Sequence, residues 1–193
     1  PVGALVASWA GAEASRKIAG KTGVDIVLVP AVTILVGGTV GIIAGPFIAR
    51  MMYMIGSTIN IATTLHPIPM GIILAVVMGI ILTLPISSAA LSISLGLSGL
   101  AAGASTVGCC CQMVGFAVAS YRENRVGGLL AQGLGTSMLQ IPNIIRNPWI
   151  WLPPTAASAV LGPVSTVLFK MENSRVGAGM GTSGLVGQVS TLE

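Results

Sequence analysis

Charged side chains are scarce in this sequence. Nine Lys and Arg residues and five Asp and Glu residues occur among 193 positions, a charged share of 7%, whereas hydrophobic residues make up 53%. Soluble domains carry about 25% charged residues, so this chain has too few charges to cover a water-exposed surface. A bilayer needs no such cover, because hydrocarbon replaces water as the solvent. The composition therefore predicts an integral membrane protein.

Aromatic residues, histidine and cysteine are also rare. Aromatic residues make up 4% of the chain, which argues against nucleic-acid binding, because that function needs a basic face with interleaved aromatics. The three cysteines are consecutive, Cys109 to Cys111, and consecutive helical residues point about 100° apart. They cannot converge on one metal ion, and we interpret them as small buried hydrophobic residues rather than metal ligands or a disulfide. The glycine-rich stretch 177–184 lacks the lysine of a phosphate-binding P-loop. No catalytic residue, metal or cofactor is expected.

Long apolar runs separated by short basic clusters dominate the rest. The clearest run, from Val24 to Ala44, supplies the roughly 20 residues that a membrane-spanning helix needs. The basic clusters, which are typical of the loops of a multi-pass protein, are Arg16, Lys17 and Lys21; Arg122 and Arg125; Lys170 and Arg175. The chain starts without Met and ends in a Gly/Ser-rich loop. We predict an all-α, polytopic transmembrane helical bundle, residues 1–193 forming one membrane-embedded domain that is a fragment of a longer protein.

Glycine is abundant, with 26 residues interleaved among aliphatic ones. Small residues four apart let helix backbones approach closely in a membrane. Helix packing, rather than ligand binding, is therefore expected at Gly37, Gly41 and Gly45, and at Gly99 and Gly103.

Residues 47–65 leave two alternatives open. Arg50 and several Ser, Thr and Asn residues interrupt the apolar pattern there. The segment is either an interfacial amphipathic helix or a polar-faced span inside a bundle. Helices are further expected over residues 70–84, over residues 104–120 and from Pro153 to Phe169, with a loop from Tyr121 to Arg125.

Two segments are too polar for lipid-facing helices and too apolar for loops in water, namely residues 85–105 and 127–149. Such segments are typical of re-entrant hairpins, whose broken backbone is buried in protein or lines a cavity. The tripeptide Gly135-Thr136-Ser137 of the second segment recurs as Gly181-Thr182-Ser183. Paired Gly-interrupted segments indicate a transporter binding site.

Candidate binding groups lie in and near these irregular segments. Neutral amides suit hydroxyl-rich ligands, since they both donate and accept hydrogen bonds, and Arg146 is placed to face an anionic group. His66 has two interpretations, a proton-relay or substrate residue and a turn cap beside Pro67. The candidate solute-binding residues are Ser87, Ser88, Thr136, Ser137, Gln140, Asn143, Arg146, Thr182 and Ser183.

The order of these features resembles the IIC (permease) component of bacterial phosphotransferase-system sugar transporters. The stretches that carry the resemblance are ASRKIAGKTGVDIVLVPAVTILVGGTVGIIAGP at 14–46, GIILAVVMGIILTLPISSAAL at 71–91, GLGTSMLQIPN at 133–143 and GMGTSGLVGQ at 179–188. The chain is most similar to the divergent branch that includes perfringolysin-regulator-like membrane proteins.

The resemblance implies a multi-pass protein of the bacterial cytoplasmic (inner) membrane that acts as a homodimer. It implies that the chain moves a sugar or another small polar solute while a separate IIB partner, supplied by IIA, phosphorylates it. If that activity is kept, the chain is the permease component of a protein-phosphohistidine-sugar phosphotransferase. The phosphate carriers lie on other domains in the family, so none is expected here.

The sequence departs from the family pattern at two places. The glucose-type branch has a G-I-T-E-P motif whose glutamate contacts sugar, whereas the matching stretch runs from Leu139 to Asn143, with Gln140 or Asn143 as a neutral substitute. The family's histidine after the preceding span is replaced by Ser87 and Ser88. These departures support an alternative, a membrane sensor or regulatory protein that keeps the fold without transport. A channel is disfavoured, because no charged ring or TVGYG-like filter is present.

Overall fold

The computed structural model describes residues 2–21 and 23–192, and within that part of the chain it is helical without strands. The all-α prediction is confirmed for these residues. The α-helices are α1 (Val2–Arg16), α2 (Asp25–Leu65), α3 (Pro67–Thr83), α4 (Ser88–Leu95), α5 (Gly99–Ala119), α6 (Tyr121–Leu130), α7 (Ile141–Arg146), α8 (Leu152–Pro163) and α9 (Val186–Leu192). Short π-helical turns cover Ala131–Gly135 and Val164–Leu168, and 3₁₀ turns cover Ser137–Gln140, Pro148–Trp151, Gly177–Gly179 and Ser183–Leu185.

The chain divides into two compact units, residues 1–55 and 56–193. In the first unit, α1 packs against the beginning of α2 through small residues. A Cβ atom on Gly37 would lie 3.0 Å from the Ala7 carbonyl oxygen, and one on Gly41 would lie 3.4 Å from the Ala7 Cβ atom. The helix-packing role predicted for these two glycines is confirmed, because both lie against the same turn of α1.

Helix α2 corrects the boundary that was expected at Gly45-Pro46. The helix runs without interruption from Asp25 to Leu65 and contains both Pro30 and Pro46. Neither alternative for residues 47–65 treated them as a continuation of the preceding span. A proline removes one backbone hydrogen bond and kinks a helix, but apolar helices tolerate it, so Pro46 does not end this one.

Two helices in the described residues are long and apolar enough to cross a membrane, α2 and α5. They differ in burial: the most apolar window of α2 is 6% buried and that of α5 is 72% buried. Helix α5 is therefore covered mainly by protein, whereas α2 presents most of its apolar surface to its surroundings.

The core of the second unit is a bundle of α3, α5 and α8, which pack against one another in all three pairs. Small residues lie at each crossing. A Cβ atom on Gly79 would lie 2.8 Å from the Gly108 carbonyl oxygen, and one on Gly162 would lie 2.3 Å from the Gly71 carbonyl oxygen. The Ser158 hydroxyl donates to the Gly108 carbonyl at 3.3 Å. Backbone proximity and an interhelical hydrogen bond, the usual means of helix association in lipid, thus join the three helices.

An irregular stretch, here called the glycine-rich segment (residues 171–185), packs against α4 and α5. Three serine hydroxyls donate to its backbone: Ser88 to Gly179 at 2.6 Å, Ser92 to Arg175 at 2.7 Å, and Ser105 to Ala178. Residues 177–179 are buried. Backbone without regular structure must find hydrogen-bond partners when it leaves water, and here those partners are side chains of two neighbouring helices.

Two further expectations require correction. Residues 121–125, expected to be a loop, begin α6, which is kinked at Arg125 (φ 53°, ψ −148°). The apolar helix expected over 104–120 begins earlier, at Gly99, and within 85–105 only short connections flank α4. The Asn60 side chain fixes the second connection, because it donates to the Gly96 carbonyl at 2.9 Å and accepts from the Ser98 amide at 3.3 Å.

Candidate functional site

The two serines predicted at the start of α4 have different surroundings. The Ser87 hydroxyl caps the helix by accepting a hydrogen bond from the Ala90 amide at 3.2 Å. The Ser88 side chain is buried and donates its proton to the Gly179 carbonyl. Ser87 is exposed, whereas Ser88 is committed to holding the glycine-rich segment.

The two Gly-Thr-Ser tripeptides lie in neighbouring parts of the fold. The π-turn Ala131–Gly135, which precedes Thr136, packs against the 3₁₀ turn Ser183–Leu185. Thr136 caps the 3₁₀ turn that follows it by accepting from the Met138 amide at 3.2 Å. Sequence symmetry of this kind predicted a shared location, and the two segments do meet.

One side chain of each tripeptide, Ser137 and Thr182, is buried in the protein. Ser137 is fully buried, and its hydroxyl lies 3.0 Å from that of Thr83 in α3. The Thr182 hydroxyl is buried and lies 3.3 Å from the Met113 sulfur atom in α5. The backbone amide of Ser183 donates to the Met180 carbonyl. These hydroxyls join the two irregular segments to the bundle.

Gln140 and Asn143 belong to a row of hydrogen-bonded side chains, here called the amide chain (Asn143, Gln140, Gln132 and Ser120). The Asn143 amide nitrogen donates to Gln140 Oε1 at 2.9 Å, and Gln140 Nε2 donates to Gln132 Oε1 at 2.8 Å. Gln132 Nε2 donates to the Ser120 hydroxyl at 2.8 Å, and that hydroxyl donates to the Ala117 carbonyl at 3.3 Å. Three of the four side chains are buried, while Asn143 is exposed.

The local structure of the chain brings these groups together. Gln132 lies in the π-turn that follows α6, Gln140 ends a 3₁₀ turn, and Asn143 lies in the first turn of α7. Ser120 lies at the junction of α5 and α6. The tight turns fold residues 131–146 back against the end of α5, with which both the π-turn and the 3₁₀ turn are in contact.

The exposed end of the amide chain opens into a cavity of about 460 Å³, here called the amide cavity. Its described lining residues are Phe116, Ala119, Ser120, Glu123, Asn124, Gln140, Asn143 and Ile150. A second cavity of about 530 Å³ shares Asn124, Gln140 and Asn143 with it and is lined by Gln132 as well. Binding cavities for small molecules commonly measure about 300–1,000 Å³, so either space is large enough for a small solute.

Sequence reasoning missed four side chains of this site: Ser120, Glu123, Asn124 and Gln132. The first three lie at the junction of α5 and α6, where a helix was expected to end at residue 120 and a loop to follow over residues 121–125. Glu123 is the one charged group among the described lining residues of the two cavities. A polar run directly after a long apolar helix was the available signal, because it marks where the helix leaves its apolar surroundings.

Arg146 does not join this cluster. It lies in the last turn of α7, is exposed and lines neither cavity. In residues 2–21 and 23–192 the one ion pair is that of Arg16 with Glu13, so no carboxylate partner fixes Arg146. His66 precedes α3 as its N-cap residue, and its side chain makes no capping hydrogen bond.

The chemistry of the site is that of hydrogen bonding. The amide chain, the amide of Asn124 and the carboxylate of Glu123 offer donors and acceptors to a solute that carries hydroxyl groups. The three cysteines are free thiols, and Cys109 is buried in the apolar core of the second unit. The apolar helices of membrane-spanning length indicate a helical membrane protein, and the amide-lined cavity is a candidate site for a small polar solute.

Comparison with known families identifies the family to which the chain belongs. The family model described as "Phosphotransferase system, EIIC" matches residues 1–193, which is the whole chain. The chain belongs to this family, whose members are the membrane permease components of the phosphotransferase system, and the resemblance inferred from the sequence is confirmed. Neither the search of curated proteins nor the search of solved structures gives a match.

Proposed function

We propose that this protein is a IIC permease that binds a neutral, hydroxyl-rich solute, in the first instance a sugar, in the amide cavity. The observation that carries the proposal is the amide chain, which begins at the exposed Asn143 in a cavity of about 460 Å³ and is anchored at a backbone carbonyl. Most buried side-chain amides in proteins have their hydrogen bonds satisfied. A satisfied row of them that ends at a cavity provides a rigid polar wall for a solute.

In this proposal Asn143, Glu123 and Asn124 contact the solute, and Gln140 holds Asn143 in place. Carboxylate and amide groups together accept hydrogen bonds from hydroxyls and donate to them. The solute-binding role predicted for Ser87, Ser88, Thr136, Ser137, Arg146, Thr182 and Ser183 stays a prediction. For the buried members of that group, the hydrogen bonds described above support a role in shaping the surrounding backbone.

We further propose that residues 1–193 form one membrane-embedded, polytopic bundle of a bacterial inner-membrane homodimer. The glycine-rich segment serves as a re-entrant element in this arrangement. Support comes from the burial of residues 177–179 and from the serine hydroxyls that bind carbonyl groups of the segment, since irregular backbone at membrane depth has to be covered by protein. The poorly buried apolar window of α2 supports contact with lipid or with a second copy.

Family membership implies sugar as the substrate and IIA and IIB proteins as partners. Phosphate transfer then takes place from a IIB domain to the solute in the cavity, and this chain binds and orients the solute.

Uptake into membrane vesicles tests the proposal. Vesicles that contain the protein, its IIA and IIB partners and phosphoenolpyruvate should accumulate labelled sugar as the phosphate ester. Asn143→Ala should reduce uptake at least tenfold when equal amounts of inserted protein are compared, since the substitution also removes the donor to the buried Gln140 Oε1. Asn147→Ala, which removes an exposed amide that lines neither cavity, is the matched control. Equal uptake by the Asn143→Ala variant and the unmodified protein would contradict the assignment of this site.

A membrane sensor of the same fold is the second candidate. One observation favours it: the glutamate expected from the resemblance to the glucose-type branch is absent from this stretch, and of its neutral substitutes Gln140 and Asn143 the amide of Gln140 is occupied at both ends within the amide chain. Binding of labelled sugar to the purified protein without uptake into vesicles, under conditions in which a known permease is active, would support the sensor. Phosphoenolpyruvate-dependent uptake would support the permease.

A further inference from the structure

The amide chain has a direction, and one serine sets it. The Ala117 carbonyl oxygen has no proton, so at the 3.3 Å contact the Ser120 hydroxyl must be the donor. A hydroxyl has one proton, and Ser120 therefore accepts the hydrogen bond from the side chain of Gln132. This orients the Gln132 amide with its nitrogen toward Ser120 and its oxygen toward Gln140.

The same constraint passes along the row to its exposed end. Because Gln132 presents an oxygen, Gln140 must present its nitrogen there and its own oxygen to Asn143. Asn143 must then use its nitrogen, which leaves its carbonyl oxygen free. Among the described residues, no protein group donates a hydrogen bond to Asn143 Oδ1.

Burial keeps the orientation fixed. Ser120 is 8% exposed, Gln132 is 4% exposed and Gln140 is 7% exposed. A single flipped amide would place oxygen against oxygen on one side and nitrogen against nitrogen on the other. Leaving a buried polar group unpaired costs about 1–3 kcal/mol, so the row reverses together or not at all.

The electrostatic character of the amide cavity follows from this orientation. Its described lining includes Asn143, whose carbonyl oxygen is the acceptor left open by the amide chain, and Glu123, with no basic residue among the described lining. Arg122 and Arg125 flank Glu123 in the chain but do not line the cavity. Hydroxyl and ammonium groups of a solute can donate to the Asn143 carbonyl oxygen and to the Glu123 carboxylate. A carboxylate or phosphate group of a solute would be repelled by these two acceptors.

We infer that Ser120 is a positioning residue for specificity: acting through Gln132 and Gln140, it leaves the Asn143 carbonyl oxygen as the open group of the amide chain at the cavity that Glu123 also lines, so that the site accepts hydrogen-bond-donating sugars and rejects anionic ones. The inference deepens the proposed function and rests on it. It also explains why the Glu123 carboxylate lies at the cavity wall without an ion-pair partner among the described residues. A negative charge there attracts hydrogen-bond donors and repels anions.

The test compares three probes that share one ring, namely glucose, glucosamine and glucuronate. Tritiated forms are titrated against the whole chain purified in detergent. The unmodified protein should bind glucose and glucosamine at least tenfold more tightly than glucuronate, a difference of about 1.4 kcal/mol. Ser120→Ala removes the anchor, and the ratio of glucose affinity to glucuronate affinity should fall about tenfold.

Two matched variants separate positioning from folding. Ser165 is also buried and donates to a carbonyl three residues earlier, at 2.7 Å, but it accepts no side-chain hydrogen bond. Ser165→Ala should therefore leave the affinity ratio unchanged. Ser120→Thr keeps the hydroxyl and should keep the ratio close to that of the unmodified protein. Glu123→Gln should strengthen glucuronate binding about tenfold with the amide chain intact.

Equal binding of glucose and glucuronate by the unmodified protein would overturn the inference, as would an unchanged ratio in Ser120→Ala. If none of the three sugars binds, the proposed function is contradicted, and the positioning role is then tested without ligand. The ¹⁵N–¹H resonances of the Asn143 side-chain amide should shift in Ser120→Ala and not in Ser165→Ala. Identical resonances in all three proteins would end the case for Ser120.

Discussion

Gly108 of α5 lies against Ala75 of α3 so closely that a Cβ atom on Gly108 would lie 1.9 Å from the Ala75 carbonyl oxygen. No side chain intervenes between the two backbones at this crossing. Lipid is as apolar as a leucine side chain, so helices in a membrane associate through close packing rather than through the hydrophobic effect. Close backbone packing therefore contributes to the stability of the bundle at this contact.

A methyl group at this crossing should weaken the bundle. Gly108→Ala forces α3 and α5 apart, and overpacking of this kind costs about 1–3 kcal/mol. The measurement is thermal unfolding in detergent, followed by circular dichroism. Gly38→Ala is the control, since no atom lies within 4 Å of a Cβ atom there, and it should be neutral or stabilising because alanine favours helix. Equal melting temperatures for the two variants would contradict the close contact.

The glycine-rich segment should depend on its serine donors. Ser88→Ala leaves the buried Gly179 carbonyl without its 2.6 Å partner, at an expected cost of about 1–3 kcal/mol. Hydrogen exchange measured by mass spectrometry should become faster over residues 171–185 in this variant. Ser94→Ala is the comparison, because the Ser94 hydroxyl donates within its own helix to the Ala90 carbonyl. The role of Ser88 in holding the glycine-rich segment would be refuted if exchange over residues 171–185 became faster in Ser94→Ala. It would also be refuted if exchange there were unchanged in Ser88→Ala.

The sequence was sufficient for the helical class and for the packing role of Gly37 and Gly41, but not for that expected of Gly99, where no atom lies within 4 Å of a Cβ atom. It was misleading where context overrides a local signal. Proline ends or kinks helices in many water-soluble proteins, yet α2 continues through Pro46 to Leu65. The charged residues from Tyr121 to Arg125 suggested a loop, although all of them lie in α6.

The candidate site was found only in part. Gln140 and Asn143 could be selected as amides near a proline, but nothing in the sequence shows that Gln132 and Ser120 continue the same hydrogen-bonded row. The π-turn at Ala131–Gly135 and the 3₁₀ turn at Ser137–Gln140 determine which side chains meet. Their geometry depends on packing against α5, and a local pattern in the sequence does not encode that packing.

Arg125 has a backbone conformation that should be relieved by glycine. Its φ of 53° and ψ of −148° fall in a region that residues with a Cβ atom rarely adopt, and such strain costs about 1–3 kcal/mol. Arg125→Gly should therefore raise the melting temperature. Arg122→Gly, three residues earlier and in helical conformation, should lower it, because glycine in a helix costs about 1 kcal/mol relative to a good helix former. Shifts of the same sign in both variants would count against the kink.

The hydroxyl pair of Thr83 and Ser137 gives the most direct test of how the turn Ser137–Gln140 is held against α3. The two oxygen atoms lie 3.0 Å apart and both side chains are buried, although the residues are 54 positions apart in the chain. Thr83→Val keeps the shape of the side chain and removes its hydroxyl. Ser137 then loses its side-chain partner, and the free energy of unfolding should fall by about 1–3 kcal/mol.

A double-mutant cycle separates this pair from general damage to the core. Ser137→Ala alone should also destabilise, while the double variant Thr83→Val, Ser137→Ala should lose less than the sum of the two single losses, because neither buried hydroxyl is then left unpaired. The coupling should be about 0.5–3 kcal/mol, measured from unfolding in detergent. Thr83 also lies 3.4 Å from the Gly79 carbonyl within its own helix. If that contact were its main partner, the two losses would simply add, and the link between α3 and the turn Ser137–Gln140 would be refuted.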